Sequence, residues 1–326
     1  MATHRLRLAV LAALAATTMA AALPAFAQTF PTKPLRLVVP FAAGGPADVV
    51  AREVGQALGA ALGQTIIVEN QGGGAGVTAL TTVTRSDADG HTLLFAASGN
   101  IVLQPQVSKS GGADLLSKLR PVGLVSTGPH VLVVSGKTQV TSVKELIDYA
   151  KANPGKLNYG SAGVGGVAHL GMEYFMAAAK IDMAHVPYKG TAAAVNDLTA
   201  GSIQAMFSSP PSLQAAIDKG YVRALGMSAA GGTGAAKSLP VIGSVVPGFE
   251  FTTWYAVFAP VGTPQPVVDK LNTTLRTVLG NAAIKAKMAE QGVELVSSTP
   301  QELSQIMKRD TDKWAKVIRD AKIKID

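Results

Sequence analysis

The sequence predicts an α/β chain of two lobes, each a mixed, mostly parallel sheet flanked by helices, with the lobes joined by two crossing strands. Three observations carry this. Short β-type apolar runs alternate with stretches of helical periodicity, the mark of βα units. That alternation restarts after Pro121. Two extended segments, near 122–135 and 249–258, are the places where the chain crosses, so that 28–127 and 252–326 form one discontinuous lobe and 128–251 the other.

Residues 1–27 read as a cleavable export leader. Arg5 and Arg7 supply a basic start, and Leu8 to Leu23 an apolar stretch short of a comfortable bilayer span. Pro24 breaks it, and Ala25-Phe26-Ala27 is a small-x-small pattern, so cleavage is expected before Gln28. A short membrane anchor is the alternative. No cysteine follows, which excludes a lipid anchor at this point.

The first βα unit is Leu35 to Val39 as strand, Pro40 as its end, and a helix entered through Gly44-Gly45-Pro46 with Val50, Val54, Leu58 and Leu62 on its apolar face. Thr65 to Glu69 and Thr92 to Ala97 are the next strands, with glycines 72–74 and 76 and a helix between them. Beyond Pro121, Val122 to Val125 and Val131 to Ser135 are extended, and Val143 to Ala152 is helical. Leu157 to Tyr159 leads into the loop Gly160 to Gly166 and a helix with Leu170, Tyr174, Phe175 and Ala178 on one face. Strands at Met183–Val186, Ile203–Phe207 and Val222–Met227 alternate with helices at Ala192–Thr199 and Pro211–Lys219. Phe249 to Phe258 is a long extended run, and Pro264 to Leu279 is helical. In the last segment Leu303, Ile306, Met307, Trp314, Val317, Ile318 and Ala321 share one stripe, which predicts a helix packed on the body; a membrane-surface helix is the alternative that interspersed Asp310, Asp312 and Asp320 disfavour.

Loss of Arg5 and Arg7 with the leader lowers the formal charge from +8 to about +6, without any Lys/Arg block, which argues against a nucleic-acid role. With no cysteine, disulfides, thiol chemistry and thiolate metal sites are excluded. His91, His130, His169 and His185 stand singly, without the spacing that sets two ligands on one helix face. No G-x-S-x-G elbow and no G-x-x-x-x-G-K-[ST] run occurs. No metal or cofactor is expected.

Chemistry concentrates in two glycine loops. Phe41-Ala42-Ala43-Gly44-Gly45-Pro46-Ala47-Asp48 joins a strand to a helix start, a geometry that aims backbone N–H groups at one anion. An ordinary βα turn remains the alternative, and Asp48 reads first as a partner for donors of the first helical turn and only second as a ligand contact. Ser161-Ala162-Gly163-Val164-Gly165-Gly166, followed by His169, repeats the pattern in the second lobe.

These motifs, together with Phe30 to Arg36, Asp89-Gly90-His91-Thr92, His185-Val186-Pro187-Tyr188-Lys189-Gly190, Asp197 to Gly201 and Trp254 to Pro260, stand in an order that resembles the periplasmic solute-binding proteins of tripartite tricarboxylate transporters, the Bug family. The resemblance implies a type II-like periplasmic binding protein, monomeric and without covalent chemistry. It would close on a small organic mono- or dicarboxylate, aromatic acids included, and pass it to membrane permease subunits. It implies ligand contacts at Phe41, Ala42, Gly44, Gly45, Pro46, Ala47, Asp48, Ser98, Asn100, Ser161, Ala162, Gly165, His169, Gly190, Thr191 and Ser208. Gly166 stands where many relatives have serine, and Ser208 where they often have aspartate; the latter removes a partner for an ammonium group and points away from amino-acid ligands. A carboxylate sensor for a membrane signalling partner and an exported enzyme are the other readings.

Overall fold

The computed structural model describes residues 30–73, 76–107, 112–231, 238–321 and 323. The expected leader with its cleavage point, Gly74, and residues 232–234 of the flexible loop that the glycines predict over 231–234 lie outside them. The architecture is that of the unit Lys33–Asp326.

The chain runs β1 (Leu35–Val39), α1 (Pro46–Leu62), β2 (Ile66–Asn70), α2 (Val77–Thr84) and β3 (Thr92–Ala97), then a π-helical turn (Gly99–Leu103) and short helices α3 (Gln104–Val107) and α4 (Gly112–Leu116). Next come β4 (Leu119–Pro129), β5 (Val131–Ser135), α5 (Val143–Ala152), β6 (Asn158–Ser161), α6 (Val167–Ala179), β7 (Ala184–Pro187) and α7 (Thr191–Ala200). The remainder is β8 (Ala205–Ser208), α8 (Pro210–Asp218), β9 (Val222–Met227), a 3₁₀ turn (Ile242–Ser244), β10 (Thr252–Pro260), α9 (Gln265–Gly280), α10 (Ala282–Glu290), β11 (Glu294–Leu295) and α11 (Pro300–Asp320).

Two mixed sheets result, but they are not mostly parallel as expected: β4, β5, β9, β10 and β11 join their neighbours antiparallel, because the strands at the crossings return without a crossover helix. The first has the order β11-β4-β10-β3-β1-β2 and the second β7-β6-β8-β5-β9. In the first, β1 pairs in parallel with β2 and β3, and β10 runs antiparallel between β3 and β4. The chain leaves the first sheet at Pro129, enters the second at Val131, and returns between Met227 and Thr252. Strand β5 is buried along its whole length because helices cover both faces: Leu132 and Val134 join one apolar cluster, Val131 and Val133 another.

The crossings are bonded to each other. Ser228 Oγ accepts the His130 N–H at 2.8 Å and donates to the Phe251 carbonyl at 2.6 Å, while the Ser228 N–H donates to the His130 carbonyl at 2.8 Å. Phe251 lies flat against bare helix: a Cβ at Gly171 would come 2.4 Å from its Cζ. The main apolar cluster accordingly runs through both sheets, from Val38, Leu94 and Phe258 to Leu132, Tyr159 and Phe207, by way of Phe249, Phe251, Trp254 and Trp314.

Several expectations shift. Strand β4 is longer than the run 122–125 because bulges in its pairing with β10 absorb Pro121, which offers no N–H to the ladder. Phe249 and Phe251 precede β10 as buried anchors between the sheets instead of belonging to the strand. On α6, Ala178 is exposed and Ala179 takes the buried position. The C-terminal helix packs on the body through Leu303 and Trp314, and its solvent face is laced by i,i+4 pairs such as Lys308–Asp312 at 2.8 Å. No helix of the described residues is long and apolar enough to cross a membrane.

Candidate functional site

The two glycine loops have the same build. In the first, Gly44 sits at φ +80°, Gly45 is the N-cap of α1 at φ −82° and ψ 171°, and Pro46 occupies N1. In the second, Gly165 sits at φ +75° and Gly166 is the N-cap of α6 at φ −73° and ψ 166°. Neither helix start has a side-chain cap, so the first-turn N–H groups, which have no partner within the helix, remain directed out of its end. In both loops the N–H of the left-handed glycine donates to a side chain four residues on. Gly44 N–H donates to Asp48 Oδ2 at 2.9 Å, and Gly165 N–H to His169 Nδ1 at 2.9 Å.

Asp48 is buried, and burial pushes its carboxyl up. Hydrogen bonds from Arg52, the Gly44 N–H and Asn70, with the charge of Arg52, outweigh that and hold it below the ordinary carboxylate value. Arg52 Nε reaches Asp48 at 3.0 Å and its terminal nitrogen reaches Asn70 Oδ1 at 3.0 Å. Asn70 Nδ2 donates to the Phe41 carbonyl at 3.2 Å, which closes a ring of bonds around the loop. Gly72 lies beneath it, where a Cβ would stand 3.0 Å from the Ala42 nitrogen.

At the end of β3, the buried Ser98 hydroxyl meets Thr253 Oγ1 at 3.2 Å, and Asn100 Oδ1 accepts the Ala97 N–H at 3.3 Å. In the second sheet, Ser161 is fully buried; it donates to the Gly163 carbonyl at 3.0 Å and lies 2.7 Å from His185 Nε2. Ala162 is exposed at the loop tip. Gly190, at φ +132°, is the N-cap of α7 with Thr191 as its first residue, and a Cβ there would meet nothing within 4 Å, so its conformation alone calls for glycine. Ser208 is buried at the end of β8, followed by Ser209 as N-cap of α8.

The halves touch where these ends meet. A Cβ at Gly99 would come 3.1 Å from Val167 Cγ2, and one at Gly165 would come 2.5 Å from Gln104 Oε1. A small cavity of about 40 Å³ is lined by Pro46 and Val50 of α1, Ser126 to Pro129 of β4, Ser209 to Pro211 at the start of α8, Thr253, Tyr255 and residues 292–294. A larger cavity of about 520 Å³, lined by Lys33, Arg36, Arg85, Asp89 and His91 among others, lies at the opposite ends of β1 and β3 and holds none of the expected contacts. The carboxyl ends of the strands, where open α/β sheets take ligands, are the better candidate. Among the described residues no three His, Asp or Glu side chains stand where they could share a metal ion.

Sequence reading overlooked several participants: Arg52 and Asn70 beneath the first loop, Tyr159, His185 and Glu173 beneath the second, Gln104 over it, and Ser126, Thr253 and Tyr255 in the cavity wall. Asp48–Arg52 and Gly165–His169 were discoverable as i,i+4 pairs at a helix start. His169–Glu173 has the same i,i+4 spacing. Asn70, His185, Ser126, Thr253 and Tyr255 come from other strands, and Gln104 from the start of α3, with no local signal.

The family model described as the tripartite tricarboxylate transporter family receptor matches residues 50–323. Protein BugT of Bordetella pertussis is 32% identical over 324 residues, covering 98% of each chain. Among solved structures, R. palustris Rpa4515 with adipate is 32% identical with a TM-score of 0.86, covering 90% of this chain and 99% of that one. MatC (Rpa3494) from Rhodopseudomonas palustris with bound malate is 28% identical with a TM-score of 0.81, covering 89% of this chain and 100% of that one. On this breadth of agreement, from sequence through both sheets, the chain belongs to the tripartite tricarboxylate transporter receptor family, the Bug proteins among its members.

Proposed function

We propose that this chain captures a small organic carboxylate between its two sheets and delivers it to the permease subunits of a tripartite tricarboxylate-type transporter. One observation carries the reading: two uncapped helix starts of matching build, Gly45 before α1 and Gly166 before α6, each with its glycine N–H pinned by a side chain. Backbone donors bind a carboxylate without burying a permanent cation. Arg52, the guanidinium at the first loop, is already paired with Asp48 and Asn70. Adipate in one relative and malate in another support the ligand class.

The cradle is formed by Phe41 to Ala47 on one side and Ser161 to Val167 on the other, with Ser98, Asn100, Gly190, Thr191 and Ser208 completing it and Asp48 shaping it. The moving bodies are 28–127 with 252–326, and 128–251, and closure turns about the crossings near His130 and Phe251. The mature protein works as a monomer in the periplasm after cleavage before Gln28, and it leaves its ligand chemically unchanged.

Thermal shift and calorimetry with adipate, malate, and monocarboxylic and aromatic acids test this. Saturable stabilisation by at least one acid, recovered unaltered, is expected. Turnover of the acid, or no stabilisation across the panel, overturns it.

A further inference from the structure

The matched glycine loops differ in one respect, the chemistry of the side chain that pins them. In the first it is the Asp48 carboxylate with Arg52 as counter-charge; in the second it is His169. Because the Gly165 N–H donates to Nδ1, that nitrogen carries no proton, and the ring proton sits on Nε2, 3.8 Å from Glu173. His169 is 5% exposed and lies face to face with His185, the ring centroids 3.8 Å apart and the planes 10° from parallel. His185 stacks in turn on Tyr159 at 4.8 Å, and its Nε2 meets the Ser161 hydroxyl that holds Gly163.

We propose that His169 is a positioning residue and not a ligand contact: the neutral counterpart of Asp48, which fixes the Gly165 peptide so that the amides at the start of α6 keep one direction. The inference rests on the reading of this loop as a carboxylate cradle. A glycine-rich loop has many conformations to lose on binding, and an acceptor that removes them beforehand improves affinity. A buried N–H without a partner would otherwise seek another geometry. A neutral acceptor adds no negative charge of its own at the helix start and so needs no cation to offset it. His185 keeps the ring upright by stacking, and through Ser161 it fixes the other half of the loop.

Two substitutions separate the acceptor from the ring. His169→Asn places Oδ1 where Nδ1 stands and loses the stack; His169→Phe keeps the stack and loses the acceptor. Calorimetric titration with adipate and malate is expected to give H169N within about threefold of the wild-type affinity and H169F weaker by about tenfold or more. By NMR, the Gly165 amide should exchange slowly in the wild type and in H169N and faster in H169F, and His169 should show an unprotonated Nδ1. Equal affinity in H169F, a loss in H169N as large as in H169F, or a Gly165 amide indifferent to both changes overturns the proposal. Should the wild type bind neither acid, the carboxylate reading loses these two ligands, while amide exchange and the tautomer still decide whether His169 holds the loop.

Discussion

Gly99, at the start of the π-helical turn, faces Val167, at the start of α6, so closely that a Cβ on the glycine would stand 3.1 Å from the valine Cγ2. The contact joins the first sheet's β3 end to the helix that follows the second sheet's glycine loop. Gly99→Ala therefore introduces a methyl between the halves without a strained backbone. It should weaken carboxylate affinity by about three- to tenfold, through a less complete closure, while the melting temperature changes by only a few degrees. Titration and small-angle scattering with and without ligand would check this; an unchanged affinity means that the Gly99–Val167 contact is not part of the bound state.

Gly45→Val tests the first cradle. A Cβ at Gly45 would meet only the Ala42 carbonyl, at 3.6 Å, and the residue's backbone is extended, so the fold should tolerate the change. The branched side chain would cover the N–H groups at the start of α1, and binding should fall by at least about tenfold. Circular dichroism together with titration distinguishes this from unfolding.

Arg52→Lys should loosen the same loop. A lysine ammonium cannot reproduce the planar fork that meets both Asp48 and Asn70, so the buried carboxylate loses part of its compensation. A stability loss of about 1–2 kcal/mol is expected, with a parallel drop in affinity measured on the folded protein.

Ser228→Ala removes the hydroxyl that bridges His130 and Phe251 at the crossings. It leaves a buried donor and a buried acceptor unmet, which costs about 2 kcal/mol in denaturant unfolding. Stability indistinguishable from wild type would show that the crossings are held by packing around Phe251 alone.

Acid should weaken the protein in a defined direction. Burial lowers the His169 ring from 6.5 to about 3, with the charge of His185 adding to the shift, and burial lowers His185 to about 4. The titratable groups facing the pair are Glu173 on α6 and Tyr159 on β6; burial raises Glu173 and Tyr159 above their ordinary values. The unfolded chain binds protons that the folded histidines refuse, so their contribution is full above pH 6.5 and is lost as pH falls through that value toward 4, while Glu173, raised by burial, takes up its proton earlier in the folded chain and opposes part of that loss. His130, lowered by burial to about 4, contributes with the same sign as the other two histidines. Melting temperatures between pH 7.5 and 4.5 should fall, and H169N should flatten the slope.

Much of the fold was legible because local signals agree with the tertiary outcome. Leu35–Val39, Thr92–Ala97, Val131–Ser135, Val143–Ala152 and Val222–Met227 have the ends that apolar runs and breakers imply. The π-helical turn, α10 and β11 were not legible, being short elements whose shape depends on what packs against them. Of the site, the glycine loops were visible since only a bare backbone suits such turns. The Ser98–Thr253 contact and the His169–His185 stack join residues of different elements and left no periodic trace.

By itself, the sequence determined the α/β class, the restart of the βα pattern after Pro121, the two glycine loops that precede helices, and the likeness to a family of carboxylate receptors. Only the tertiary structure decided that Asp48 and His169 hold those loops from behind, that Gly99 meets Val167 between the sheets, and that Ser228 ties the two crossings together. The reason is physical: periodicity and turn chemistry act over a few residues of chain, whereas a buried acceptor, a ring stack or a close backbone approach exists only once strands far apart in sequence have been brought to the same place.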